Sequence, residues 1–122
     1  MSKRILVADD SDIVRRAVRS YLTDRDFEIC GEAVDGEDAV EKARKLKPDL
    51  ILLDVAMPRT NGIVVASVLK DMMPNVRIIL FTMYSEAVAR AFPRKSLPVD
   101  AVIAKAEGVT RLAECVHSLL PS

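Results

Sequence analysis

Aromatic residues are scarce, basic runs are absent and the charges cancel. Eighteen Lys and Arg balance 18 Asp and Glu, and the aromatic complement is three Phe and two Tyr. A chain with neither a basic stripe nor stacking platforms is not expected to bind nucleic acid directly. Two cysteines, Cys30 and Cys115, are too few for a disulfide framework and lack metal-ligand spacing. They read as small buried hydrophobes in a reducing compartment. The single histidine, His117, falls on the last expected helix and is assigned no role. No apolar stretch approaches transmembrane length, and the N-terminus reads as a strand rather than a signal segment. A cytoplasmic protein with no membrane partner is expected. Internal repeats, low-complexity tracts and linkers are also missing, so the chain reads as one domain over 1–122. That length buries a core without staples.

What is present is a folding sequence, 50% hydrophobic. Leu50-Ile51-Leu52-Leu53 is a run with no polar face, the habit of a parallel strand covered on both sides. It ends in Asp54 and enters Val55-Ala56-Met57-Pro58, where proline bars a helix. Ile5–Ala8, Phe27–Ala33, Val76–Thr82 and Ala101–Ala104 are four further strands, the second polar enough for an edge. Between them fall helical patterns. The first is capped by Ser11 and carries Ile13, Val14, Ala17, Val18, Tyr21 and Leu22. The second opens at Asp35, and the third follows a turn at Asn61-Gly62. A short fourth is capped by Ser85, and the fifth carries Val109, Leu112, Ala113, Val116 and Leu119. The alternation predicts an α/β fold: a doubly wound five-stranded parallel sheet, flavodoxin-like (βα)5. The first helix is apolar over about half its circumference, wider than the ~100° stripe burial requires. Its edge residues Ile13 and Ala17, with Val14, are therefore candidates for docking a partner.

The strand ends carry the chemistry. Asp9-Asp10 end the first strand, Asp54 the third, Thr82 the fourth and Lys105 the fifth. Parallel strands end on one side, so these groups converge on one rim. With strand order 2-1-3-4-5, one of the common doubly wound orders, the acids meet at the topological switch point. Three crowded carboxylates call for raised pKa values or a resident cation, and Mg²⁺ suits such a set. With Mg²⁺ and Lys105 in place the rim is near neutral and admits an anion. A hydroxyl and an ammonium beside it are phosphoryl ligands in type. Each residue alone also fits a blander role: Asp54 as a turn acid, Thr82 as a strand former, Lys105 as a solvated strand end.

Four segments in this order, Ile5–Ser11 (ILVADDS), Leu50–Gly62 (LILLDVAMPRTNG), Ile78–Thr82 (IILFT) and Lys105, resemble the receiver domain of bacterial two-component response regulators. The resemblance covers essentially the whole chain. It implies that Asp54 is the phosphoacceptor, receiving its phosphoryl group from a histidine kinase or phosphotransfer protein. It implies that Asp10, Asp54 and the Ala56 backbone carbonyl bind Mg²⁺, or Mn²⁺ in its place, with Asp9 supporting through water. It implies that Lys105 holds the phosphoryl oxygen and that Thr82 swings to it and switches the far surface. Docking of the kinase is expected around Ile13, Val14, Ala17 and Ala106. Ala56 and Tyr84 are expected to tune dephosphorylation. The output domain or target is not legible, and phosphorylation-dependent dimerisation is a further expectation. Such a domain catalyses only its own phosphorylation and dephosphorylation; it is not a conventional enzyme.

Three departures from the family pattern all touch the output face. Val102 replaces the usual Tyr or Phe, Ala106 the frequent proline, and Phe92–Asp100 the usual small approach to the fifth strand. Val102 and the proline-rich fourth segment favour, as the alternative, a receiver-like docking module that works without phosphate. A small phosphohydrolase using Asp54 is disfavoured by Ala56, where such enzymes place a second acid, and by the lack of room for a cap domain.

Overall fold

The structure, a computed structural model, describes residues 3–23 and 25–121. Five strands make the main sheet: β1 (Lys3–Ala8), β2 (Phe27–Ala33), β3 (Leu50–Leu53), β6 (Arg77–Thr82) and β7 (Ala101–Ala104). Two further strands, β4 (Ala56–Met57) and β5 (Thr60–Asn61), lie outside it. All pairs of the main sheet are parallel, in the order β2-β1-β3-β6-β7. Counting these strands alone, that is the expected 2-1-3-4-5. Helices α1 (Asp12–Thr23), α2 (Gly36–Leu46), α3 (Gly62–Met72), α4 (Ser85–Ala91) and α5 (Gly108–Leu119) cover it. No helix among the described residues is long and apolar enough to cross a membrane.

The strands are apolar on both faces because each face has its own core. Leu6, Ala8, Ile51, Leu53, Ile78 and Leu80 pack with α2 and α3 residues such as Ala39, Val65 and Leu69. Ile5, Val7, Leu50, Leu52, Ile79 and Phe81 pack with Val18, Leu22, Leu112 and Val116 of α1 and α5. Full burial of one such Leu or Ile is worth about 1.5–3 kcal/mol, so β3, with its four residues no more than 2% exposed, anchors both layers. On α1 the buried residues are Val18 and Leu22, one helical turn apart. Ile13 remains 78% exposed.

The connection after β3 differs from the expected simple turn. Strands β4 and β5 pair antiparallel as a small hairpin. Arg59 takes left-handed backbone (φ 58°) at its tip. Asn61 is the N-cap of α3, its side chain accepting from the Ile63 amide at 2.8 Å. Ser85 is a cap for α4 by residue type, but Tyr84 occupies that position and makes no side-chain cap bond. The reason lies next door: the Tyr84 amide donates to Thr82 Oγ1, and that bond sets the turn into the helix.

Candidate functional site

The register of the sheet builds the rim. Ala8 pairs with Leu53, so Asp9 and Asp54, one residue further on, leave neighbouring strands side by side. Thr82 pairs with Ala104, which brings Lys105 to the same edge. Each acid is held from below: the Asp54 amide donates to the Ala8 carbonyl at 3.0 Å, and the Asp9 amide to the Ala33 carbonyl at 2.9 Å.

Lys105 binds both acids. Its Nζ lies 2.8 Å from Asp9 Oδ2 and 3.1 Å from Asp54 Oδ2. Asp9 also accepts from the Ser11 amide at 2.9 Å, and Asp54 Oδ1 from the Ala56 amide at 3.3 Å. Asp9 and Asp54 are buried at 3% and 5% exposure, while Asp10 is exposed. Carboxylate oxygens of Asp9, Asp10 and Asp54 lie within 4.8 Å of one another. Three carboxylates against one ammonium leave the rim with about two negative charges in excess, which one divalent cation would balance. An all-oxygen set with an exposed face fits Mg²⁺, which keeps several waters.

The electrostatics follow from this geometry. Burial pushes Asp54 above the usual carboxylate range; Lys105 opposes that shift and the Asp9 charge adds to it. Burial pulls Lys105 down, but its hydrogen bond to Asp9 and the charges of Asp54 and Asp9 carry it above its ordinary value. The lysine therefore stays charged, and burial makes the ionised form of Asp54 less favourable than in water.

Gly62 fixes the acceptor loop by its lack of a side chain. A Cβ there would stand 2.3 Å from the Asp54 carbonyl oxygen and 2.7 Å from Val55 Cα. The Gly62 amide also donates to the Val55 carbonyl at 2.8 Å. Without glycine the small hairpin could not fold back onto the residues after β3. Nothing in the local sequence marks this contact. The same holds for Arg15, whose Nη1 donates to the Asp9 carbonyl behind the rim.

The remaining expected residues fall around the rim in two groups. Ile13, Val14 and Ala17 line a cleft of about 180 Å³ between α1 and α5, floored by Phe81 and reaching Lys105. Ala106 and Tyr84 line a second, wider cleft on the other side of Lys105, with Thr82 and Arg90. Thr82 is fully buried, and its hydroxyl faces its own loop through the Tyr84 amide at 3.1 Å. Ala56 is exposed on β4, and Tyr84 is 52% exposed.

A doubly wound domain with an acid–lysine rim at its switch point is the class defined by fold and site. The response regulator receiver domain family matches residues 5–117, and the chain belongs to it. It is 37% identical over 120 residues to the response regulator protein VraR of Staphylococcus saprophyticus, covering 96% of this chain and 56% of that protein. The chain thus spans about half the length of the VraR proteins it matches. It is 34% identical to the chemotaxis protein CheY of Thermotoga maritima, over 88% of this chain and 82% of CheY. The structure of the Thermotoga maritima response regulator TrrA, in complex with Mg²⁺-BeF, superimposes with a TM-score of 0.86 at 33% identity. That match covers 97% of this chain and 99% of TrrA.

Proposed function

We propose that Asp54 accepts a phosphoryl group from a phosphohistidine of a histidine kinase or phosphotransfer protein, in a Mg²⁺-dependent reaction that switches a signalling output. The observation that carries this reading is the shared lysine: one ammonium within 3.1 Å of both buried acids, with Asp10 beside them. An ion pair built only for stability does not need a third acid facing solvent. The complex of TrrA with Mg²⁺-BeF supports the reading, since that regulator shares the fold at 33% identity.

In the reaction an Asp54 carboxylate oxygen attacks phosphorus, the P–N bond of the donor breaks, and the imidazole leaves with that electron pair. The product is a mixed anhydride on Asp54. Asp10, Asp54 and the Ala56 carbonyl would hold Mg²⁺, with Asp9 supporting through water. When bound there, the ion neutralises charge on the transferring group. Lys105, already aimed at Asp54 Oδ2, takes the phosphoryl oxygen as its charge develops. The Thr82 hydroxyl then turns to the phosphoryl group and gives up its bond from the Tyr84 amide. The loop after β6 is thereby released, and the change reaches the α4 surface. The donor docks in the cleft of Ile13, Val14 and Ala17, which opens beside Lys105; Ala106 borders the approach from the other side.

The test is intact mass after incubation with Mg²⁺ and a small phosphodonor. The wild type gains one phosphoryl group and Asp54→Asn gains none, because the near-isosteric amide is not a nucleophile. Labelling of D54N at the wild-type level would remove Asp54 from this role.

A further inference from the structure

The two acids at the end of β1 are only as well placed as the peptide that joins them, and that peptide is gripped from α1. Arg15 Nη1 donates to the Asp9 backbone carbonyl at 2.7 Å. Its Nε donates to Glu32 Oε1 at 3.0 Å, and its Nη2 reaches Asp12 Oδ1 at 3.4 Å. The side chain is only 13% exposed. Glu32 is itself fixed, paired with Arg19 and accepting from Lys42 at its carbonyl. Across the same residue, the Asp9 amide donates to the Ala33 carbonyl. The Asp9 main chain is thus clamped on both sides, one bond from edge strand β2 and one from a planar fork that β2 orients.

Charge does not explain this arrangement. A guanidinium close to a site that must attract a divalent cation works against that cation, and Glu32 and Asp12, shared with Arg19 and Arg16, offset it only in part. What Arg15 does supply is direction. With the Asp9 carbonyl held on the α1 side, the Asp9–Asp10 peptide plane has one orientation. The Asp9 side chain then meets Lys105 and the Asp10 side chain meets the rim.

Resting on the metal reading above, we propose that Arg15 is a positioning residue for the Mg²⁺ site, acting through the Asp9 carbonyl to aim Asp9 and Asp10. It touches neither the ion nor the phosphoryl group. Groups behind the direct ligands of a metal typically change affinity by about 10–100-fold.

The experiment is a Mg²⁺ titration of the ¹⁵N-labelled full chain, read at the Asp10 and Val55 amides by NMR, for wild type, Arg15→Ala and Arg15→Lys. Positioning predicts binding weakened about tenfold or more in R15A. It predicts a smaller loss in R15K, whose single ammonium cannot reach the Asp9 carbonyl and Glu32 as a fork. A purely electrostatic influence predicts the opposite sign for R15A, tighter binding once a nearby cation is gone, and no change for R15K. A merely structural influence lowers the melting temperature but leaves the affinity of the folded protein untouched. Binding in R15A as tight as wild type or tighter overturns the proposal. If R15A does not fold, R15K decides in its place: affinity equal to wild type overturns the proposal, and weaker binding supports it. A wild type whose rim amides ignore Mg²⁺ overturns the metal reading and this role with it, an outcome distinct from failure of Arg15 alone.

Discussion

Lys105 neutralises one of the acids at its side but leaves Asp54 above its ordinary pKa, so the ionised carboxylate is less stable in the fold than in water. Stability should therefore rise when the charge is removed. Asp54→Asn is expected to melt higher than wild type at neutral pH in chelator, by roughly 4 °C for each kcal/mol relieved in a chain of this length. Lys105 keeps Asp9 as its partner in the mutant. The sign of the pH dependence follows from the raised value. Between the ordinary aspartate pKa and the raised folded one, the folded state binds the extra proton at Asp54, so that residue's contribution to stability falls as pH rises through that window. The advantage of D54N should vanish below the ordinary aspartate pKa and be complete above the raised folded one, and melting curves at several pH values check it. The division of labour between the paired acids is testable in the same assay as Arg15. Asp10, exposed and without a lysine, is free to meet an ion, whereas Asp9 is already engaged by Lys105 and the Ser11 amide. Asp10→Ala should weaken Mg²⁺ binding more than Asp9→Ala; the reverse ranking in a titration would contradict the split of roles.

The elements differ in how openly the sequence announces them. Strands β1, β3, β6 and β7 show as short unbroken apolar runs, and the residues at their ends, Asp9, Asp54, Thr82 and Lys105, are legible as one rim because parallel strands share an end. The hairpin β4–β5 is not, since two-residue strands leave no periodicity. Its shape depends on Gly62 meeting Asp54 and on the Gly36 amide reaching Thr60 Oγ1 at 3.1 Å. Such contacts exist only after α2, β3 and α3 have assembled. Arg15 is hidden for the same reason: among many helix arginines, nothing local marks the one that reaches back to β1. The start of α4 misleads because Ser85 is a good cap by type, yet the turn is set by Thr82 and Tyr84. That turn also bears on switching. Val102 on β7 lies beside a cavity of about 130 Å³ lined by Val88, Phe92 and Leu97. A branched side chain with few rotamers has little to move there. Amide shifts on phosphorylation should therefore concentrate at Thr82, Met83 and Tyr84, with little change at Val102. Large shifts at Val102 and along α5 would show a different route across the sheet.

For the molecule as a whole, the lifetime of the proposed phosphorylated state would decide what kind of signal it carries. Hydrolysis requires a water in line with the Asp54–phosphorus bond. The side chains expected to flank that path are Ala56, which cannot orient water, and Tyr84, whose half-exposed ring can shield it. A slowly decaying phosphoform is expected. Ala56→Asn combined with Tyr84→Glu should speed phosphate release about tenfold or more, the scale of a positioned polar group. Equal release from the labelled wild type and the double variant would mean that these side chains do not control the water.

The proposed function rests on an acyl phosphate forming on Asp54 itself, and chemical trapping reads that site directly. Borohydride reduces an aspartyl phosphate to homoserine, so brief phosphorylation in Mg²⁺, reduction and peptide mass spectrometry locate the acceptor. The predicted result is homoserine at position 54, in Mg²⁺ but not in chelator. Homoserine at position 9 or 10, or a phosphoryl group that survives reduction on a serine or threonine, would contradict it.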